Sequence, residues 1–255
     1  MQFIDTHTHL FLPEFDADRN QVIENAILNG IDKMLLPNVD NQSITKLLRL
    51  CEQYPENCFP MVGLHPTSVN ENYKSELRNL ENIIAKEKFI AIGEIGIDLY
   101  WDKSFIIQQQ EAFIYQINLA KQHKLPIVIH ARESFEEIFS IMHEQVAENL
   151  SGVFHAFTGN IDQAKQIIDW GFKIGIGGIV TFKNSGLDKL VEQIDLNHIV
   201  LETDSPYLPP VPFRGKRNES AYLVKVAEKI AQLKKCSIED VADITTQNAK
   251  LLFNL

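Results

Sequence analysis

The sequence predicts an α/β fold, a single (β/α)8 barrel of the TIM type spanning residues 1–255 with an extra C-terminal helix. Three observations carry this reading. Eight short apolar runs alternate with eight amphipathic segments, and the runs are nearly continuous, as a parallel sheet covered on both faces requires. The length of 255 residues is that of such a barrel kept as one domain. The first run ends in His-Thr-His, where an open doubly wound sheet would carry a glycine-rich phosphate turn.

The elements follow in order. The run Phe3–Thr8 precedes a helical stripe of Val22, Ile23, Ala26 and Ile27, closed by Gly30 as a C-terminal cap. Lys33–Asn38 precedes Leu47, Leu48 and Cys51, whose helix stops near Pro55. Phe59–His65 leads to Leu77, Leu80, Ile83 and Ile84, and Ile90–Ile95 to the long helix of Phe113, Ile117 and Ala120. Pro126–His130 is followed by Phe135, Ile138, Phe139 and Met142, and Gly152–His155 by Ala164, Ile167 and Ile168. Phe172–Gly177 precedes Leu187, Leu190 and Val191. Ile199–Thr203 precedes Tyr222, Val226, Ile230 and Leu233, and 237–252 adds the extra helix. Parallel strands joined through helices cross over right-handed.

Composition narrows the class. Apolar residues at 45% and charged residues at 23% suit a soluble globular protein. The first residues lack a basic stretch followed by an apolar one, and no run approaches the length of a membrane span, so a cytoplasmic protein without membrane contact is expected. Cys51, Cys58 and Cys236 are odd in number and without CxxC spacing, which predicts free thiols. The net charge of −10 argues against a broad nucleic-acid-coating surface. It leaves room for a small basic mouth, and Arg214, Lys216 and Arg217 follow the last strand directly. Without a coiled coil or swapped terminus, a monomer is expected.

His7 and His9 are two apart in an extended strand, so their imidazoles emerge on one side. Glu94, His130, His155 and Asp204 likewise follow apolar runs, and in a barrel the C-terminal ends of the strands form the active rim. Taken singly, His130 or His155 is an ordinary strand-end histidine, Asp204 a turn residue before Pro206, and Glu94 a partner for Arg132. Their joint recurrence points to a metal centre. Imidazole with carboxylate suits zinc, manganese, iron or nickel, and magnesium if carboxylate and water dominate. Six ligands are too many for one catalytic ion with an open position, so two ions sharing Glu94 fit the count. His123, His143 and His198 fall away from the rim.

The stretches DTHTHL (5–10), GLHP (63–66), GEIGID (93–98), PIVIHAR (126–132), FHAFTG (154–159), ETDSPYL (202–208) and RGKRNES (214–220) resemble the TatD-like metal-dependent hydrolases and deoxyribonucleases of the amidohydrolase superfamily. The resemblance covers essentially the whole chain. It implies a TIM barrel, divalent metals at His7, His9, Glu94, His130, His155 and Asp204, and hydrolysis of DNA phosphodiesters, with 3′ to 5′ exonuclease action. Two departures stand out. Ser220 replaces a proline that ends the basic loop in the family, and the aspartate-tyrosine after the fourth strand reads Asp98-Leu99-Tyr100.

A mechanism on these residues assigns His7, His9, Glu94 and Asp204 to the ion that carries the attacking water, and His130 and His155 to a second ion that Glu94 also reaches. The ions are expected as magnesium, manganese or zinc. Asp204 is the expected proton acceptor. His65 holds a substrate phosphate or orients the water, unless it is a turn residue before Pro66. Glu202 is either a partner of a ligating histidine or a barrel carboxylate satisfied elsewhere. Arg132 is set for a forked phosphate contact or a pair with Glu133 or Glu94, and Arg214, Lys216, Arg217 and Asn218 for flanking phosphates. Trp101, Tyr207 and Phe213 are candidates to stack on bases of single-stranded DNA or 3′ ends. The rival hydrolase reading, an aminoacyl-tRNA deacylase or a small-molecule amidohydrolase, uses the same site. Against it stand Glu94, where many dinuclear relatives carry a carbamylated lysine, and the basic loop, which suits a polyanion. A non-enzymatic metal-binding protein is the third reading.

Overall fold

A computed structural model describes residues 1–146 and 149–255. Eight parallel strands alternate with helices: β1 (Phe3–Asp5), α1 (Arg19–Leu28), β2 (Ile31–Leu36), α2 (Ile44–Gln53), β3 (Cys58–Pro60), α3 (Tyr73–Ile84), β4 (Ile92–Asp98) and α4 (Ile106–His123). Then come β5 (Ile127–Arg132), α5 (Phe135–Gln145), β6 (Gly152–Phe154), α6 (Ile161–Asp169), β7 (Lys173–Ile176), α7 (Leu187–Gln193), β8 (Ile199–Leu201), α8 (Leu223–Lys234) and α9 (Ile238–Phe253). The ladders run in sequence order, β1 to β3 and β4 to β8. Parallel bridges from Val62 to Ile92 and from Thr8 to Ser205 join the two sets, so the sheet closes on itself.

The apolar runs are continuous because both faces of each strand are buried. Ile4, Leu35, Val128, Val153 and Val200 point into the barrel. Their neighbours Phe3, Met34, Leu36, Ile127, Ile129, Ile199 and Leu201 point out against the helices. The extra helix α9 begins with Ser237 and Asp240 in a reciprocal capping box. It lies across the N-terminal mouth, where Thr246 donates to the Gln2 carbonyl and Asn248 to those of Leu196 and Ile199. Phe253 and Ala249 pack with the inner residues and close the floor. Truncation of Phe253 to alanine should cost ~3–5 kcal/mol by opening a cavity at that floor; the urea midpoint measures it, and an unshifted midpoint would show that the plug is dispensable.

Most strands stop earlier than their apolar runs suggest. β1 ends at Asp5, although Thr6 and Thr8 still donate to Leu201 and Leu35, so His7 and His9 lie just beyond the regular strand. β3 ends at Pro60, although Met61 still donates to Leu36 and Val62 to Ala91. β4 departs in the other direction, running to Asp98 with a register shift between Ile92 and Ile95. Among the described residues, no helix is long and apolar enough to cross a membrane.

Candidate metal centre

The site is built on the seam where the barrel closes. Asp5, wholly buried, accepts from the amides of Thr203 at 2.9 Å and His7 at 3.4 Å and from the Thr203 hydroxyl at 2.6 Å. One carboxyl thus fixes both edges of the seam. Burial outweighs these bonds and pushes the Asp5 pKa up to about 7. Past β8 the chain turns at Asp204, whose φ of 55° lies in the left-handed region that aspartate tolerates. Its amide donates to the His7 carbonyl at 2.9 Å, which brings its carboxylate over the histidine pair.

Glu94 is the hub. It lies within the register shift of β4, where a bulge re-aims a side chain. Its two oxygens divide the imidazoles between them. Oε2 lies 3.2 Å from His7 Nε2 and 3.7 Å from His9 Nε2, while Asp204 Oδ1 is 3.7 Å and 3.5 Å from the same nitrogens. Oε1 lies 2.7 Å from His130 Nδ1 and 3.3 Å from both His65 Nε2 and His155 Nε2. The His7 and His155 rings stack at 3.5 Å. All six residues expected at the rim therefore converge, and His65 joins them.

Three groups hold donor atoms within 4.8 Å of one another: His7, His9 and Glu94; His7, His155 and Asp204; and His65, Glu94 and His130. Mixed imidazole and carboxylate donors suit a divalent cation. The two nitrogens His7 Nε2 and His9 Nε2 face each other at 3.2 Å and share the same carboxylate oxygens. A cation satisfies both lone pairs at once, whereas a hydrogen bond satisfies only one. The donor set fits the group.

A second layer orients some ligands and not others. His130 Nε2 lies 2.8 Å from Asp98 Oδ2 and His155 Nδ1 3.2 Å from Glu202 Oε1. The Asp98 contact is the arrangement that fixes a ligating histidine, whereas His155 Nδ1 lies near Glu202 without hydrogen-bond geometry. His7 Nδ1 and His9 Nδ1 are buried without such a partner among the described residues. Two glycines make these contacts feasible. A Cβ at Gly96 would collide with the His130 carbonyl, and one at Gly175 with Glu202 Oε2. His65 differs again: its Nδ1 accepts from the Thr67 amide at 3.1 Å, so its proton sits on Nε2, facing Glu94.

The electrostatics follow from this crowding. Burial pushes the Glu94 carboxyl up, but the charges of His65, His155 and His7 and the His130 hydrogen bond outweigh it, holding it well below its ordinary value. Burial likewise opposes Asp204, which His9 and its neighbours still pull down. Burial lowers His7 and His65. Burial also acts against charge on His155 and His130, yet Glu202 and Glu94 raise His155 well above the usual value, and Asp98 and Glu94 raise His130. Both rings carry protons near neutrality, and a cation must displace them. Metal uptake should therefore release at least one proton near pH 7, and its affinity should climb with pH through the raised values of these rings. Calorimetry in buffers of different ionisation heat measures the release; identical heats in all buffers would refute it.

A cavity of about 580 Å³ opens above these groups, lined at its rim by Trp101, Arg132, Tyr207 and Leu208. The structure sorts the residues expected to bind phosphate. Arg132 lines the cavity without a carboxylate partner among the described residues, pairing with neither Glu133 nor Glu94 and stacking on Tyr100 instead. Arg214 and Lys216 are exposed, Arg214 resting 4.0 Å over Phe182. Arg217 and Asn218 correct the expectation. Arg217 is forked onto Asp18 at 2.8 Å, bound to Glu219 and the Glu14 carbonyl, and laid over Phe15, so both of its terminal nitrogens are engaged. Asn218 is buried, its amide donating to the carbonyls of Thr203 and Tyr207 at 2.7 Å. Both pin the basic loop instead of facing a ligand. Ser220 is buried as well and donates to Thr8 at 3.2 Å, so a hydroxyl tie anchors the loop where a proline was expected. Phe213 stacks on Tyr222 at 3.8 Å and is unavailable to a base.

Comparison with known proteins places this geometry. Residues 4–254 match the model of the TatD related DNase family. The chain is 40% identical over 252 residues to the uncharacterized metal-dependent hydrolase YabD of Bacillus subtilis, covering 98% of each. It is 32% identical over 259 residues to YcfH of Escherichia coli, also an uncharacterized metal-dependent hydrolase, covering 100% of this chain and 97% of that one. The crystal structure of the TatD homologue YjjV from Escherichia coli superposes with a TM-score of 0.93 at 28% identity, covering 99% and 98% of the two chains. A closed barrel with clustered histidines and carboxylates at its C-terminal rim, matched over nearly its whole length, belongs to the TatD related DNase family of metal-dependent hydrolases.

Proposed function

We propose that the protein is a divalent-metal-dependent deoxyribonuclease that hydrolyses phosphodiester bonds at the 3′ ends of single-stranded DNA. The observation that carries this reading is the division of Glu94, whose two oxygens face separate sets of imidazoles in a cavity that Arg132 also lines. His7, His9 and Asp204 would hold one magnesium, manganese or zinc ion with Glu94 Oε2, and His130 and His155 a second with Oε1. Bound there, divalent ions bring the pKa of water toward neutrality and offset charge on phosphoryl oxygens.

The chain's own groups do the rest. Asp204, ionised and 13% exposed at its side chain, is placed to accept the proton of the attacking water. His65, whose Nδ1 accepts from the Thr67 amide and whose proton therefore sits on Nε2, is placed to donate to a phosphoryl oxygen and not to ligate. Arg132 would grip the phosphate with two parallel donors. Arg214 and Lys216 would hold phosphates farther along the strand. Alanine at both positions should weaken DNA binding and lower the slope of log affinity against log salt by about 1.4, near 0.7 for each single-strand phosphate no longer neutralised; an unchanged slope would remove them from the binding surface.

The deciding experiment incubates the protein with a 5′-labelled single-stranded oligonucleotide beside a panel of small carboxylic and phosphate esters. It is run with magnesium, manganese or zinc and again with chelator. Stepwise shortening that chelation stops and added metal restores is expected. Ester or amide turnover without DNA shortening would give the site to a small-molecule hydrolase.

A further inference from the structure

Two large aromatic side chains stand in solvent at the mouth of the cavity. Tyr100 is 50% and Trp101 70% exposed, with their rings edge to face at 4.9 Å. Neither is loose. Asp98 Oδ1 accepts from the Tyr100 amide at 2.9 Å and the Trp101 amide at 3.3 Å, while its Oδ2 holds His130. The carboxylate that orients a candidate ligand thus also holds the backbone that carries the aromatic pair.

Arg132 completes the arrangement. It pairs in register with Asp98 across the β4–β5 ladder. Its guanidinium lies 3.7 Å over the Tyr100 ring and 5.4 Å from that of Trp101, with no carboxylate partner among the described residues. His130 and Arg132 are two apart on β5 and so face the same side, their Cα atoms about 7 Å apart along the strand. Trp101 and Arg132 line the same cavity as the convergent histidines. An exposed indole face beside a guanidinium without a carboxylate is a combined site for a π-system and an anion. A nucleotide carries both.

We propose that Trp101 and Arg132 form a nucleotide subsite next to the scissile bond, the indole stacking on a base and the guanidinium binding its phosphate. The subsite rests on the nuclease reading above and adds a reason for strand selectivity. Inside a duplex both faces of a base are covered by neighbours, and at its end one face is covered and the pairing edge engaged, so a single strand presents its bases to Trp101 more readily. Tyr100 acts through Arg132 as a positioning residue, holding the guanidinium flat at the rim.

The test crosses the protein with its substrate. Metal-loaded wild type and Trp101→Ala are each given single-stranded oligonucleotides that are intact or abasic at one of the last three nucleotides, and KM is measured for each pair. In the wild type, one abasic position should raise KM ~10-fold, and Trp101→Ala should raise it as much on the intact strand. The two changes together should cost no more than either alone, because each removes the same stacking partner. Trp101→Phe, which keeps a π-face, should restore most of the lost affinity. A phosphorothioate-linked oligonucleotide should also quench Trp101 emission. The other tryptophan, Trp170, packs against Phe139 and Phe154, and Trp101→Phe isolates its signal. DNA shortening with an abasic penalty unchanged in Trp101→Ala would overturn the subsite and leave the nuclease reading standing. Failure of the wild type to bind or shorten any oligonucleotide would overturn both.

Discussion

Glutamine in place of Glu94 should abolish metal-dependent turnover and, with it, the thermal stabilisation that added metal confers. The side chain keeps its shape, so the effect isolates charge. Glu94 is buried and faces His7 and His9 through one oxygen and His65, His130 and His155 through the other. An amide offers one oxygen where two are needed and turns N–H donors toward nitrogens meant to give lone pairs. Removing one partner of a buried charge network costs ~3–5 kcal/mol, a loss of roughly 10²- to 10⁴-fold at 1.36 kcal/mol per decade. Metal content after dialysis and the metal-induced shift in melting temperature read this directly, since a cation that binds only the folded state raises its stability by mass action. Full metal content in Glu94→Gln would remove the residue from the centre.

Asparagine at Asp204 tests a different step. Asparagine accepts the left-handed backbone that the φ of 55° demands, so the turn after β8 should form as before. The carboxylate that faces His7 and His9 is lost, and with it the expected proton acceptor. General-base removal lowers turnover by roughly 10²- to 10⁴-fold, and kcat should carry that loss with the far-UV circular dichroism unchanged. Normal kcat at saturating metal would exclude Asp204 as the base. Assay at saturating metal separates the roles: Glu94→Gln should fail at metal retention, while Asp204→Asn, which also loses a ligand oxygen, should keep its loss of kcat after metal is restored.

The sequence made the barrel and its six rim ligands legible for the same reason. A strand buried on both faces writes a continuous apolar run, and a polar ligand at its end interrupts that run abruptly. Glu94, His130, His155 and Asp204 each stand at such an interruption. Asp98 was hidden from this logic. Alternation puts it on the side of Glu94, but no spacing announces that the His130 ring of the next strand reaches it. Arg217 and Asn218 misled in the opposite sense. A basic cluster after the last strand looks the same whether its members face solvent or fold back, and only the carboxylates of Asp18 and Glu219 decide. Asp18 lies nearly two hundred residues away in the chain. Arg132 resting on Tyr100 is likewise a tertiary contact that no spacing announces.

The way the barrel shuts bears on how a ribosome must deliver it. Thr8 meets Ser205 across the seam, and α9 plugs the floor only once the last residues exist. Every early strand therefore waits, with its inner face unsealed, for segments still to be translated, and such long-range pairing is slow and exposes apolar surface. Nascent chains halted before α9 should be the aggregation-prone species that chaperones bind, while the released polypeptide should not.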